Sequence, residues 1–137
     1  MNGQLAAAMA AEVAAIYAYG LLGVHLGTAA QVDEARAAET AHRGRRDYLL
    51  GKMEQPEAAP AGYDLPFPVT DPASALKLAV HVEDGVAQAW RPVLGVSQGA
   101  DRESALAALT DAAVRAGRWR RIAGISPATM AYPGQAS

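Results

Sequence analysis

Glu39 and His42 stand three apart in the run Glu39-Thr-Ala-His42-Arg-Gly-Arg-Arg46. On a helix, that spacing puts a carboxylate and an imidazole on one face. Carboxylate-bridged di-iron and dimanganese sites take such an i, i+3 pair from a helix, with further carboxylates from neighbouring helices. Two more glutamates, Glu12 and Glu83, each interrupt an otherwise apolar helical stripe. Buried carboxylates are costly unless paired or metal-bound, and a metal cluster would neutralise all of them together. The residue types therefore suggest a dinuclear iron or manganese centre held by Glu12, Glu39, His42 and Glu83. Such a centre would use O₂ or peroxide to oxidise bound Fe(II). Asp47 and Asp84 are the candidates for orienting the second ring nitrogen of His42. The same residues also allow a metal-free bundle, with its buried acids satisfied by Arg46, Arg115 or Arg118, serving as a structural or interaction module.

The chain has 137 residues, enough for a single domain with a real core. It is rich in Ala and poor in β-branched and aromatic residues, which favours helices. Cysteine is absent, so disulfides, thiolate zinc and thiol nucleophiles are excluded. A net charge of −2 provides no electrostatic basis for binding nucleic acid. Between Met1 and Val32 the only formally charged side chain is Glu12. No basic residue precedes the apolar stretch, as a secretory signal would require. Glu12, two tyrosines and many small residues also argue against a membrane span. The expectation is a cytoplasmic protein.

Four helices should carry these residues. The first is expected over about 2–26, with Leu5, Met9, Glu12, Ile16, Tyr19, Gly23 and Leu26 on one stripe. Gly27-Thr28 ends it and caps a second helix over about 29–52. The inward stripe of that helix is Val32, Ala35, Glu39, His42, Arg46, Leu49, Leu50 and Met53. A Pro-rich segment over about 53–70 reads as a crossover, anchored by Tyr63, Leu65, Phe67 and Val69. Asp71-Pro72 starts a third helix over about 71–94, with Leu76, Ala79, Val80, Glu83, Val86, Ala87, Trp90 and Leu94 inward. Asp101 should cap a fourth over about 101–122, with Ala105, Leu109, Ala112, Ala116 and Trp119 inward. Met130 and Tyr132, in an irregular tail, are expected to fold back on the bundle.

With these elements in place, the chain resembles the ferritin-like superfamily, and more narrowly a small bacterial family of ferritin-like domains of unknown function. The resemblance rests on Ala11-Glu-Val-Ala-Ala-Ile-Tyr-Ala-Tyr-Gly20, on Glu39-Thr-Ala-His42 with Arg43 to Asp47, and on Tyr63-Asp-Leu-Pro-Phe-Pro-Val-Thr-Asp-Pro-Ala-Ser74. Glu83-Asp84, Trp90-Arg91 and Arg118-Trp-Arg120 add to it. It implies an all-α, ferritin-like antiparallel four-helix bundle with a long Pro-rich crossover between helices two and three. It departs from the complete di-iron pattern in one respect, because the fourth helix has no His and hence no second Glu-x-x-His. The nearly all-apolar first helix further predicts a homodimer.

Overall fold

A computed structural model describes residues 2–53, 63–129 and 132–135. Four long helices, α1 (Asn2–Leu22), α2 (Ala29–Lys52), α3 (Pro72–Val96) and α4 (Gly99–Ala123), form a bundle, and no strand occurs among the described residues. A 3-10 turn over Gly23–His25 follows α1, so the regular helix stops short of the expected Leu26. Thr28 opens α2 by accepting a hydrogen bond from the Gln31 amide at 3.1 Å. The few residues between the turn and Thr28 hold α1 and α2 side by side.

The start of α3 is the best-specified boundary in the chain. Asp71 accepts from the Ser74 amide at 2.8 Å, the Ser74 hydroxyl accepts from the Asp71 amide at 3.2 Å, and Pro72 occupies the first turn. This reciprocal capping box satisfies amides that a helix start would otherwise leave open. At the other end Pro92 does not stop α3, which continues to Val96. Proline removes one helical hydrogen bond, but buried Trp90 and Val93 hold this last stretch against the core. Its final carbonyls are closed from outside, Val93 by the Ser97 hydroxyl at 2.7 Å and Leu94 by the Arg102 guanidinium. Only Ser97 and Gln98 then separate α3 from α4.

Because α4 begins at Gly99, Asp101 lies inside its first turn rather than capping it. Asp101 instead accepts from the Tyr48 hydroxyl at 2.7 Å and pairs with Lys52 at 2.9 Å, joining the start of α4 to the end of α2. Arg118 near the end of α4 pairs with Glu34 near the start of α2 at 2.8 Å. Gly124, at φ 74°, closes α4 by donating its amide to the Arg120 and Arg121 carbonyls. Only a residue free of Cβ strain adopts that left-handed geometry readily.

Two apolar clusters fill the interior. Leu5, Leu49, Val86, Trp90, Val93 and Ala105 belong to one, and Leu22, Ala38, Leu76, Leu78 and Trp119 to the other. The stripes expected on α3 and α4 are buried as expected except for Leu94, which is half-buried. On α2 the buried set narrows to Ala35, Ala38, His42 and Leu49, and Leu50 is exposed. Residues 54–62 of the expected crossover lie outside the described residues. Residues 63–70 have no regular secondary structure, and Leu65, Phe67 and Val69 pack against the second cluster. Met130 also lies outside the described residues, while Tyr132 is exposed although Pro133 and Gly134 beside it lie back against α3. Gly3–His25 is long and apolar enough to cross a bilayer, with a mean hydropathy of 1.7, yet it carries Glu12 fully into the core.

Candidate functional site

Each helix places a polar side chain between the two apolar clusters: Glu12 from α1, His42 from α2, Glu83 from α3 and Arg115 from α4. Glu12 follows buried Ala8 and precedes Ala15, His42 lies between Ala38 and Leu49, and Glu83 lies between Val80 and Val86. The polar layer is thus continuous across the bundle and sealed above and below by hydrocarbon. Glu12 and Glu83 are wholly buried, and His42 is 2% exposed.

The imidazole stands between the two carboxylates. Its Nδ1 lies 2.8 Å from Glu12 Oε1, and its Nε2 lies 2.8 Å from Glu83 Oε2. Two hydrogen bonds between one ring and two carboxylates require two shared protons, wherever each sits at a given instant. As an imidazolium between two carboxylates, the trio carries net −1. The Arg115 guanidinium supplies the missing positive charge, with Nη1 at 3.6 Å from Glu83 Oε1 and 3.0 Å from Asp111 Oδ2. Arg115 thus offsets the charge of the trio while also pairing with half-buried Asp111, and with Asp111 counted the five groups carry net −1.

Tyr19 and Trp119 extend the chain of contacts. The Trp119 indole donates to the Tyr19 hydroxyl at 2.9 Å, and that hydroxyl donates in turn to Glu83 Oε2. The Tyr19 ring stacks on His42 with centroids 5.8 Å apart. One connected path thus runs from Trp119 on α4 through Tyr19 on α1, Glu83 on α3 and His42 on α2 to Glu12 on α1. Within it, Glu83 Oε1 is a buried acceptor with no hydrogen-bond partner among the described residues.

Burial and charge shift the protonation of these groups. Desolvation pulls the His42 imidazole down, but its hydrogen bonds to Glu12 and Glu83 and the charges of both outweigh this, raising its pKa from 6.5 to about 9. Burial raises the Glu12 carboxyl, against the opposing pull of His42. Burial, reinforced by the Glu83 charge, raises the Tyr19 phenol well above its ordinary value. Arg115 is pulled down by burial, yet the charges of Glu83 and Asp111 hold it net above its usual value.

Of the four residues the sequence marks as candidates, three meet here and one does not. Glu39 is about one-third exposed and pairs with Arg43 at 3.3 Å, one turn along α2. A narrow buried seam through Ala35, Ala38 and His42 leaves Glu39 at its border, where Arg43 can reach it. Among the described residues, no group of three or more His, Cys, Asp or Glu side chains is arranged to hold a metal ion. Arg46 also stays outside, paired with Asp47 at 3.0 Å. Asp84 binds Arg120 rather than His42. Of the three arginines that the metal-free reading offers, it is Arg115 of α4 that reaches the buried carboxylates. Asp111, Arg115 and Trp119 repeat at four-residue spacing on that helix, which is the signal that could have marked its polar edge.

A family model described as a domain of unknown function, DUF4439, matches residues 4–137. The chain belongs to that family. It is also similar to the crystal structure of a conserved hypothetical protein, rv2844, from Mycobacterium tuberculosis. The two are 38% identical, with a TM-score of 0.82, over 88% of this chain and 95% of that one. Among curated proteins, none matches.

Proposed function

We propose that this chain is a ferritin-like bundle in which an ionic network stands where such bundles hold their metals. It would act as a metal-independent interaction module rather than an oxidase. The helix order in this reading is up-down-down-up, with the Pro-rich segment crossing between α2 and α3. The pairing of Glu34 with Arg118 and of Lys52 with Asp101 supports that order.

The contact of Arg115 with Glu83 carries the reading. A ferritin-type centre draws carboxylates from all four helices around its cations. Here the fourth helix contributes a cation of its own. The two ring nitrogens of His42 face carboxylates on opposite sides, so an ion on either nitrogen would have only one of those carboxylates beside it. Glu39, the remaining donor of the expected set, is paired with Arg43. The donor set does not fit a dinuclear iron or manganese centre.

One observation favours the metal reading, namely the unpartnered Glu83 Oε1. A small closure of the 3.6 Å approach of Arg115, or one bridging water, would satisfy that atom equally well. Elemental analysis of protein produced with added iron and manganese separates the two readings. The expected result is less than stoichiometric metal, and a melting temperature unmoved by anaerobic Fe(II) or Mn(II). Binding at a hundred times Kd would add about 2.7 kcal/mol, an easily measured shift. One or two equivalents of tightly held metal, lost in Glu39→Ala, would overturn the proposal.

The partner in this reading is a second copy of the chain. The only formal charge on α1, that of Glu12, is buried, so the outward positions Ala6, Ala7, Ala10, Tyr17 and Val24 form an exposed face without charge. Glu39 and Arg43 border the Tyr17 and Val24 end of that face. The two signs would complement each other across a two-fold axis.

A further inference from the structure

The outer surfaces of α3 and α4, together with the tail segment around Pro133–Gln135, enclose a cavity of about 420 Å³. Its walls are mainly apolar: Ala87 from α3, Leu106, Leu109, Ala113 and Val114 from α4, and Pro133 from the tail. Leu106 and Val114 stand at its mouth, 53% and 50% exposed, two turns apart on one helix face. Isolated exposed apolar residues are ordinary, but two converging on a formed cavity make a surface suited to an apolar ligand.

The outer wall is built with close tolerances. Gly134, at φ +81°, sits so near α3 that a Cβ there would lie 2.9 Å from the Ala87 carbonyl oxygen and 3.1 Å from Arg91 Cβ. Only glycine combines that backbone geometry with that approach. The Arg91 guanidinium, donating to the Pro133 carbonyl at 3.5 Å, holds the same turn. The cavity is therefore formed by a positioned segment and is more than a shallow dip between helices.

At one end lie Asp84 and Arg120, bonded to each other and partly buried. A charged head group there would meet both signs at similar distances, gaining little attraction while losing its hydration. A neutral group that both donates and accepts would suit the pair. It could donate to the Asp84 carboxylate and accept from the guanidinium N–H groups that Asp84 does not engage. We infer that this cavity binds a small uncharged amphiphile, a hydrocarbon body with a single amide-like or hydroxyl head directed at Asp84 and Arg120. This inference stands on residues outside the buried ionic network and does not depend on the metal-free reading.

Isothermal titration of the full chain with octanamide, octanoate and octylammonium tests both parts. Octanamide should bind saturably at one per chain, and the two ions of equal length about tenfold more weakly. Ala113→Trp, which fills the cavity, should weaken octanamide about tenfold, and Leu106→Lys, at the exposed mouth, several-fold. Ala37→Trp, on the exposed surface of α2, should leave binding unchanged. No saturable binding by any probe would overturn the site. So would octanamide binding indifferent to Ala113→Trp and Leu106→Lys, or weakened equally by Ala37→Trp. Binding of octanoate or octylammonium as tight as that of octanamide would overturn the neutral head group.

Discussion

A histidine held between two carboxylates contributes most to stability at a pH where it carries its charge. His42 has a pKa of about 9 in the fold against an ordinary 6.5. The stabilisation is therefore fully present below about pH 6.5 and is lost as pH rises through about 9. Burial of Glu12 raises its pKa too, which acts in the same direction, favouring the fold at lower pH. Urea unfolding at pH 6 and pH 9.5 should differ by about 3 kcal/mol, and His42→Gln should flatten most of that difference. Arg115 supports the same trio by charge. Arg115→Met would leave a buried net negative charge, at a cost of roughly 3–5 kcal/mol. Adding Glu83→Gln to Arg115→Met should recover part of the loss, because it removes the charge that Arg115 balances. Equal losses in the single and double variants would mean that Arg115 acts through packing alone.

At the scale of the helices, legibility in the sequence followed the contrast between faces. On α3, Leu76, Val80, Val86 and Trp90 mark one side so clearly that Glu83 could be placed inward from sequence alone. The α2 sequence is mostly Ala and charge, and its apolar side is too weakly marked to separate Glu39 from His42. The difference between border and seam was set by the neighbouring helices, which a single-helix pattern does not contain, although Arg43, at i+4 from Glu39 on the same helix, was a legible partner for it. The consequence is measurable. Glu39→Ala removes a partly exposed ion pair and should change stability by less than about 0.5 kcal/mol, whereas His42→Ala should be severely destabilising. Local boundary signals were equally uneven. Asp71-Pro72 is legible because the cap is made by adjacent residues, and Asp71→Ala should cost about 1 kcal/mol in urea unfolding. The continuation of α3 past Pro92, expected to about 94 and observed to Val96, was legible only through the inward stripe that includes Trp90, and the burial of Trp90 and Val93 holds it.

For the whole molecule, the network and the outer face of α1 have complementary consequences. The path from Trp119 to Glu12 draws on all four helices, so the bundle should unfold as one cooperative unit rather than helix by helix. That rigidity fixes α1 in rotation. Glu12 must face inward to meet His42, so the uncharged side of the helix must face outward. A face that is apolar and rotationally fixed at no cost in flexibility is suited to packing on its own copy. Sedimentation equilibrium should therefore report a dimer. Ala10→Glu, which sets two like charges near a two-fold axis, should shift it towards monomer while leaving the pH-dependent stability of His42 intact. Ala37→Glu, on the exposed side of α2, should leave the dimer unchanged. A wild-type chain that stays monomeric at high protein concentration would exclude self-association through α1 and leave that surface to another partner.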